Sequence, residues 1–216
     1  MFKWKKLTSG MILVACVLFF VASDVAQADN IRWTGNGDGV LWSDPNNWHT
    51  GTVPTELDNA RITQDEATVV IGVPPNGPPN TVDVRGILLH AANDPNLTLS
   101  EGVELSLTAY FRVSRNADTT GIFIMEGGDV NAPDVALDLA KNGEGVANFK
   151  GGTAVFGSCR TAYGDPGSGN GTINIDGGTL ILEGNFRFAE YATANLNITE
   201  GLLQVDENLD VAQEQT

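Results

Sequence analysis

The sequence predicts an all-β fold, a parallel β-helix (β-solenoid) with about five coils of ~25 residues behind an irregular first coil and an N-terminal Trp/Gly-rich cap. Three observations predict it. Gly-Gly pairs end similar segments: Gly121-Ile-Phe-Ile-Met-Glu-Gly-Gly128, Gly145-Val-Ala-Asn-Phe-Lys-Gly-Gly152 and Gly171-Thr-Ile-Asn-Ile-Asp-Gly-Gly178. Degenerate copies at Asn96–Gly102 and Asn195–Gly201 flank them, so the last glycines fall at 102, 128, 152, 178 and 201. Each copy continues with a second short alternating run, such as Leu180-Ile-Leu182 or Leu203-Gln-Val205. A third run follows about ten residues later and matches independently of the glycines: Phe111-Arg-Val-Ser114, Leu137-Asp-Leu-Ala140, Cys159-Arg-Thr-Ala162, Phe186-Arg-Phe-Ala189 and Leu209-Asp-Val-Ala212.

Taken from the N-terminus, residues 1–28 read as a signal peptide. Lys3, Lys5 and Lys6 supply a positive n-region, Met11 to Ala22 an apolar h-region, and Ala26-Gln27-Ala28 a cleavage site. The apolar run is too short for a transmembrane helix, which needs about 20 residues. Leu13-Val14-Ala15-Cys16 has the outline of a lipoprotein box. The apolar run continues past Cys16 through Val21, however, and this favours cleavage after Ala28. The expected location is therefore secreted or cell-surface.

Residues 29–57 form the expected cap. Trp33, Trp42 and Trp48 among many turn-forming residues suit a compact aromatic plug, and a solenoid needs its open end covered. Residues 58–95 read as the irregular first coil, with runs Thr68–Ile71, Val82–Val84 and Gly86–Leu89 around a Pro-rich loop, Val73 to Pro79. Residues 96–216 are the repeats, expected to continue beyond the end. Leu209–Ala212 would otherwise be an uncovered edge through which chains self-associate.

Within the repeats, alternation assigns faces. In the first run Leu97/Leu99, Phe123/Met125, Ala147/Phe149, Ile173/Ile175 and Leu196/Ile198 point inward. Three short strands per coil, separated by Gly-rich corners, stack on the equivalent strands of neighbouring coils about 4.8 Å apart. Asn148, Asn174 and Asn197 then share one outward row, where they either form an amide ladder or simply tolerate a solvated strand end.

The charge balance excludes several partners. With 12 Lys+Arg against 27 Asp+Glu the chain carries −15. Loss of residues 1–28 removes Lys3, Lys5, Lys6 and Asp24, leaving 9 basic and 26 acidic side chains and a charge of −17. Nucleic acid and anionic membranes are not expected partners. One thiol, Cys159, remains, so no internal disulfide is available. It occupies an inward position equivalent to Phe111 and Leu137 and reads as a core residue.

The opening W-T-G…W-S-D-P-N-N-W…G-T-V-P, followed by a coil and I-x-I-x-G-G-T-L-x-L repeats, resembles secreted bacterial parallel β-helix proteins of the autotransporter-passenger and surface-solenoid kind. The resemblance covers 31–216. It implies architecture more than activity, because such folds host adhesins, passengers, lyases and filaments.

Chemistry is sparse. The outward position of the third run holds Arg112, Asp138, Arg160, Arg187 and Asp210, and a second row holds Ser100, Glu126, Lys150, Asp176 and Thr199. In lyases and hydrolases of this fold such rows supply catalytic groups, making Arg160, Arg187 and Asp138 the candidate catalytic residues, with an acidic sugar as substrate. The simpler reading is charge pairing across parallel strands. No cofactor is expected. Calcium is the one alternative, with Asp38, Asp44 and Asp165 as candidate ligands beside Asn46 and Asn47, but no ordered calcium-loop spacing is present. Turn formation explains the same residues. His49 and His90 lie in different elements and do not suggest zinc or a catalytic triad.

The leading expectation is an exported non-enzymatic solenoid with a structural, adhesive or scaffold role. Polysaccharide or other surface proteins are the candidate partners. A polysaccharide lyase or hydrolase and a carbohydrate-binding module with Tyr110, Tyr163 or Tyr191 as stacking platforms are the alternatives.

Overall fold

In the computed structural model of the chain the described residues are 28–72 and 81–211. The expected leader up to Gln27 (with Cys16), the Pro-rich loop and Ala212 lie outside them. The strands are β1 (Asn30–Arg32), β2 (Asn59–Ile62), β3 (Thr68–Ile71), β4 (Thr81–Leu89), β5 (Asn96–Leu99), β6 (Glu104–Val113), β7 (Thr120–Met125) and β8 (Asp129–Leu139). They continue as β9 (Glu144–Phe149), β10 (Thr153–Thr161), β11 (Asn170–Ile175), β12 (Thr179–Leu182), β13 (Phe186–Phe188), β14 (Thr193–Ile198), β15 (Leu202–Val205) and β16 (Leu209–Val211).

The strands wind into a parallel β-solenoid of about six turns. One sheet runs β1-β2-β4-β6-β8-β10-β12-β15, with β13 and β16 continuing its edge. The facing sheet runs β3-β5-β7-β9-β11-β14. The inward residues meet in one continuous core, with Leu97, Leu99, Phe123, Met125, Phe149, Ile173 and Ile175 at most 1% exposed. Phe111 packs edge-on against Phe123 at 4.8 Å and stacks near Phe156 at 5.9 Å, tying the two sheets together across coils. Ile198 departs from its expected inward burial at 47% exposed, because β14 has a neighbour on one side only among the described residues. Cys159 is buried within this core as expected, and burial pushes its thiol up, away from the reactive thiolate.

Two details correct the expected coil. The second and third runs are separate strands only near the C-terminus. In β4, β6, β8 and β10 they fuse into one strand bent at register shifts, between Val84 and Gly86, Ser106 and Phe111, and Phe156 and Ser158. A bulge turns the chain without surrendering the ladder, so a corner needs no loop there. Nor is the corner after the third run made by glycine. Ser114, Ala140, Ala162 and Ala189 adopt φ between 48° and 56°. Each left-handed non-glycine residue costs about 1 kcal/mol. The ladder offsets this by continuing round the bend, through Ser114 N to Leu89 O, Ala140 N to Val113 O and Ala162 N to Leu139 O at 2.8–3.0 Å. Only small side chains fit, since Ser114, Ala140 and Ala162 are fully buried.

The Gly-Gly corner does require glycine. At Gly152 φ is +71°, and an added Cβ would run into the Gly128 carbonyl of the coil below.

At the N-terminal end both sheets gain a first rung from 29–57. β1 pairs with β2, and Trp42 N and Val40 O bond to Val70 of β3 at 2.9 Å. Trp33, Trp42 and Trp48 are 2–4% exposed and meet edge to face, with centroids 4.7–5.0 Å apart. β2 was not foreseen from the sequence, because a four-residue strand among turn formers carries little alternation.

Candidate functional site: an arginine row on the outer face

Strand register places the third-run outward residues in one line, as the sequence predicted, and extends it. The row reads Arg32, Arg61, Leu88, Arg112, Asp138, Arg160, Arg187 and Asp210, each the direct partner of the next. Successive members are about 4.8 Å apart along the solenoid. A second outward row runs beside it two residues earlier: Asn59, Gly86, Tyr110, then Ala136 and Ser158.

The predicted trio is only partly brought together. Asp138 is 4% exposed between its neighbours and accepts from Arg160 Nε at 2.9 Å, with Arg160 Nη2 2.7 Å from the same oxygen and Arg112 Nε 3.5 Å from the other. Such a two-pronged contact orients the guanidinium and holds a buried carboxylate that would otherwise cost several kcal/mol. Arg187 stands apart, 3.8 Å from Glu190 on its own corner. The Arg160 guanidinium lies 4.4 Å over the Tyr163 ring. Burial, and then the Asp138 charge, push the Tyr163 phenol up to about 12, so at neutral pH it is a hydrogen-bonding group and not a base.

The row on the N-terminal side of Asp138 is built differently. Arg112 lies 4.5 Å over the Tyr110 ring, and that ring leans over Gly86, where an added Cβ would sit 2.9 Å from Tyr110 Cε1. Arg61, Arg85 and Arg115 stand close enough for their charges to act on the Tyr110 hydroxyl. None of these three is in an ion pair among the described residues, and Arg85 bonds only the amide oxygen of Asn59, at 3.1 Å. Arg61 Nε and His90 Nδ1 are buried with no hydrogen-bond partner. Burial, then Arg61 and Arg115, lower the His90 pKa, leaving a neutral imidazole at neutral pH. Leu88, although outward, is 6% exposed and forms an apolar floor between Arg61 and Arg112.

Sequence reasoning missed Arg32, Arg61, Arg85 and Arg115, which lie ahead of or between the clear repeats. A count would have exposed them. The chain has seven arginines, Arg32, Arg61, Arg85, Arg112, Arg115, Arg160 and Arg187. Five fall in the row, and the other two sit beside Tyr110.

Of the candidate calcium ligands, Asp38 and Asp44 share one loop with Asn46 and Asn47, and Asp165 does not join them. Asp38 Oδ1 accepts from Val40 N, Leu41 N and Asn47 Nδ2 at 2.8–2.9 Å. Those three donors, in that order of strength, hold the Asp38 carboxyl below its usual pKa. Asp44 accepts from Asn46 N, Asn46 Nδ2 and Asp38 N. Asn47, fully buried, bonds Gly37 N and Gly39 N with its oxygen and Leu41 O with its nitrogen. These oxygens point at N–H donors and shape the loop that seats Trp42 and Trp48. Asp165 lies in a different corner against Asn142, near neither of them. His49 and His90 are likewise separate, with His49 Nδ1 accepting from Arg32 N at 3.0 Å.

Of the two alternatives for the asparagine row, the facing sheet carries the amide ladder. Asn174 Nδ2 donates to Asn148 Oδ1 at 2.7 Å, and Asn197 Nδ2 donates to Asn174 Oδ1 at 2.8 Å. In the row beside it Lys150 pairs with Glu126 at 2.9 Å, both nearly half-exposed, which is worth little in water. Two grooves, of about 600 Å³ beside Trp42 and Val103 and about 450 Å³ beside Asp118 and Asn142, contain no residue of the arginine row. No helix among the described residues is long and apolar enough to cross a membrane. No family model, curated protein or solved structure matches the chain.

Proposed function

We infer that this protein is an exported, non-enzymatic β-solenoid with a structural, adhesive or scaffold role at the cell surface or outside the cell. The observation that carries the reading is the state of Asp138. A carboxylate offered as general acid or base must reach a substrate proton, and this one is 4% exposed with two arginines against it. The row offers no second carboxylate within one rung of it, since its nearest row neighbours are arginines on both sides. A lyase or hydrolase reading loses its acid–base pair. The core and amide ladder, continuous from coil to coil, instead suit a stiff rod whose surface is presented outside the cell.

Expression with its own N-terminus in a Gram-negative and a Gram-positive host tests the reading. Processing after Ala28 and recovery outside the cytoplasm are expected, with no release of reducing or unsaturated ends from acidic or neutral polysaccharides. An unprocessed cytoplasmic chain in both hosts overturns export. Turnover of a polysaccharide that Arg160→Ala abolishes overturns the non-enzymatic assignment.

A further inference from the structure

The basic side chains are unevenly spread. Against 26 acidic side chains after residue 28, six of the seven arginines lie on strands of one sheet and the seventh, Arg115, at the corner that follows β6, and Arg32, Arg61, Arg85 and Arg115 have no carboxylate partner among the described residues. Random placement on so acidic a surface would give most of them a neighbouring Asp or Glu. Leaving charges of one sign unneutralised costs folding energy through self-repulsion, so such a cluster is a feature of binding sites more than of scaffolds.

The N-terminal half of the strip has the layout of a receptor. Tyr110 offers a flat ring braced by Arg112 and lying over Gly86. Arg61 and Arg112 flank the apolar floor of Leu88, two rungs or about 10 Å apart. Arg85 immediately precedes Gly86, the strand partner of Tyr110, and holds Asn59 at 3.1 Å, the Arg115 charge acts on the same hydroxyl, and two buried donors or acceptors, Arg61 Nε and His90 Nδ1, are unsatisfied. Buried polar atoms without partners are rare enough to call for an explanation, and of the three among the described residues two belong to this cluster, the third being Trp42 Nε1 in the cap.

We propose that the surface formed by Arg61, Arg85, Arg112 and Arg115 around Tyr110 binds an acidic glycan through its carboxylate or sulfate groups. The guanidinium fork matches both groups in a bidentate way. The Tyr110 ring gives a sugar's apolar C–H face a place to stack, and the linear row sets successive anionic groups along the solenoid axis. Nucleic acid offers anions and flat faces too, but a single ring, Tyr110, suits the C–H face of one sugar unit and not the run of aromatic platforms on which successive bases of a single strand stack. This deepens the adhesive reading above and rests on its treating the surface as one that binds. The test uses purified protein, so its outcome is separable from that of the export experiment.

The purified chain, processed after Ala28, is titrated calorimetrically with oligogalacturonate, heparin, a neutral cello-oligosaccharide and oligo(dT). The expected result is binding of one or both acidic glycans, none of the neutral one, and weakening as salt rises. Arg61→Gln and Arg115→Ala each lower affinity about tenfold, the loss of one charge-assisted contact. Galacturonate binding without heparin assigns carboxylate, and the reverse assigns sulfate. Arg115 is exposed at a corner, so its variant folds whether or not the Arg61 variant does. The proposal falls if neither acidic glycan binds, if both variants bind as the parent does, or if oligo(dT) binds as tightly as the glycans.

Discussion

The stretches of the arginine row on either side of Asp138 use the same pairing of guanidinium over tyrosine, Arg160 over Tyr163 at 4.4 Å and Arg112 over Tyr110 at 4.5 Å, in different electrostatic surroundings. Around Tyr163 a buried aspartate closes the circuit. Around Tyr110, Arg61, Arg85 and Arg115 stand in no ion pair, and two buried polar atoms lack partners. The contrast shows that an outward row on a solenoid is not one kind of surface. Because neighbours are fixed about 4.8 Å apart by the ladder, one carboxylate neutralises chiefly the rungs on either side of it, and its influence falls off over the next. The half containing Asp138 is therefore a stability element, and the half beyond its reach keeps its charge for something else.

Breaking the closed half should give the largest effect. Asp138→Ala leaves Arg112 and Arg160 facing each other across its rung, and a loss of about 2 kcal/mol is expected once their partial exposure is allowed for. Urea denaturation measures it, and a midpoint unchanged from the parent would mean that the pair holds nothing together. The same variant should bind acidic glycan more tightly, since it makes the closed half resemble the open one.

Single arginines sharpen the contrast. Arg160→Ala removes the two-pronged partner of a buried carboxylate and should cost about 1–2 kcal/mol. Arg61→Ala removes a group with no partner and should change stability by less than about 0.5 kcal/mol. Equal melting shifts for the two would erase the distinction between the halves.

Gly86→Ala probes the open half with little cost to folding. Its Cβ would sit 2.9 Å from the Tyr110 ring, so the ring must swing off its floor. Glycan affinity is expected to drop severalfold while the melting temperature stays close to that of the parent. An unaltered affinity would show that Tyr110 is not part of the contact.

The smallest effect is in pH. His90 has its folded pKa lowered from 6.5, chiefly by burial and then by Arg61 and Arg115, so the folded state takes up a proton less readily than the unfolded one. Its contribution to stability is full above pH 6.5 and declines as pH falls below it, through the lowered folded value. His90→Gln should flatten that decline in melts between about pH 7 and 5, and Arg61→Ala should reduce it by removing one of the causes. An NMR titration placing His90 at or above 6.5 would contradict the burial of its imidazole.

Much of the architecture was legible because a solenoid converts sequence period directly into space. A residue one period away is the neighbour on the next rung, so Asn148, Asn174 and Asn197 could be placed in a ladder, and Arg112, Asp138 and Arg160 in a row, without coordinates. The method stops where the period does. From Arg32 to Arg61 the chain passes through the tryptophan-packed turns of the cap, and from Arg61 to Leu88 through the irregular first coil, so nothing in their spacing announces that they share a line. The Asp38 and Asp44 loop illustrates a second limit. Aspartates on turns read alike whether they hold a cation or backbone N–H groups, and only the direction of their oxygens separates the two.

The sequence by itself determined the repeat, the parallel stacking, the faces of the first-run strands and the membership of the central row, because alternation and period are properties of order along the chain. Tertiary structure alone decided that the second and third runs fuse through bulges and that a buried corner is turned by Ser114, Ala140, Ala162 and Ala189 at positive φ. It also decided which arginines are neutralised. That last outcome depends on side-chain reach and burial over a few ångströms between coils, distances that residue order along the chain does not encode.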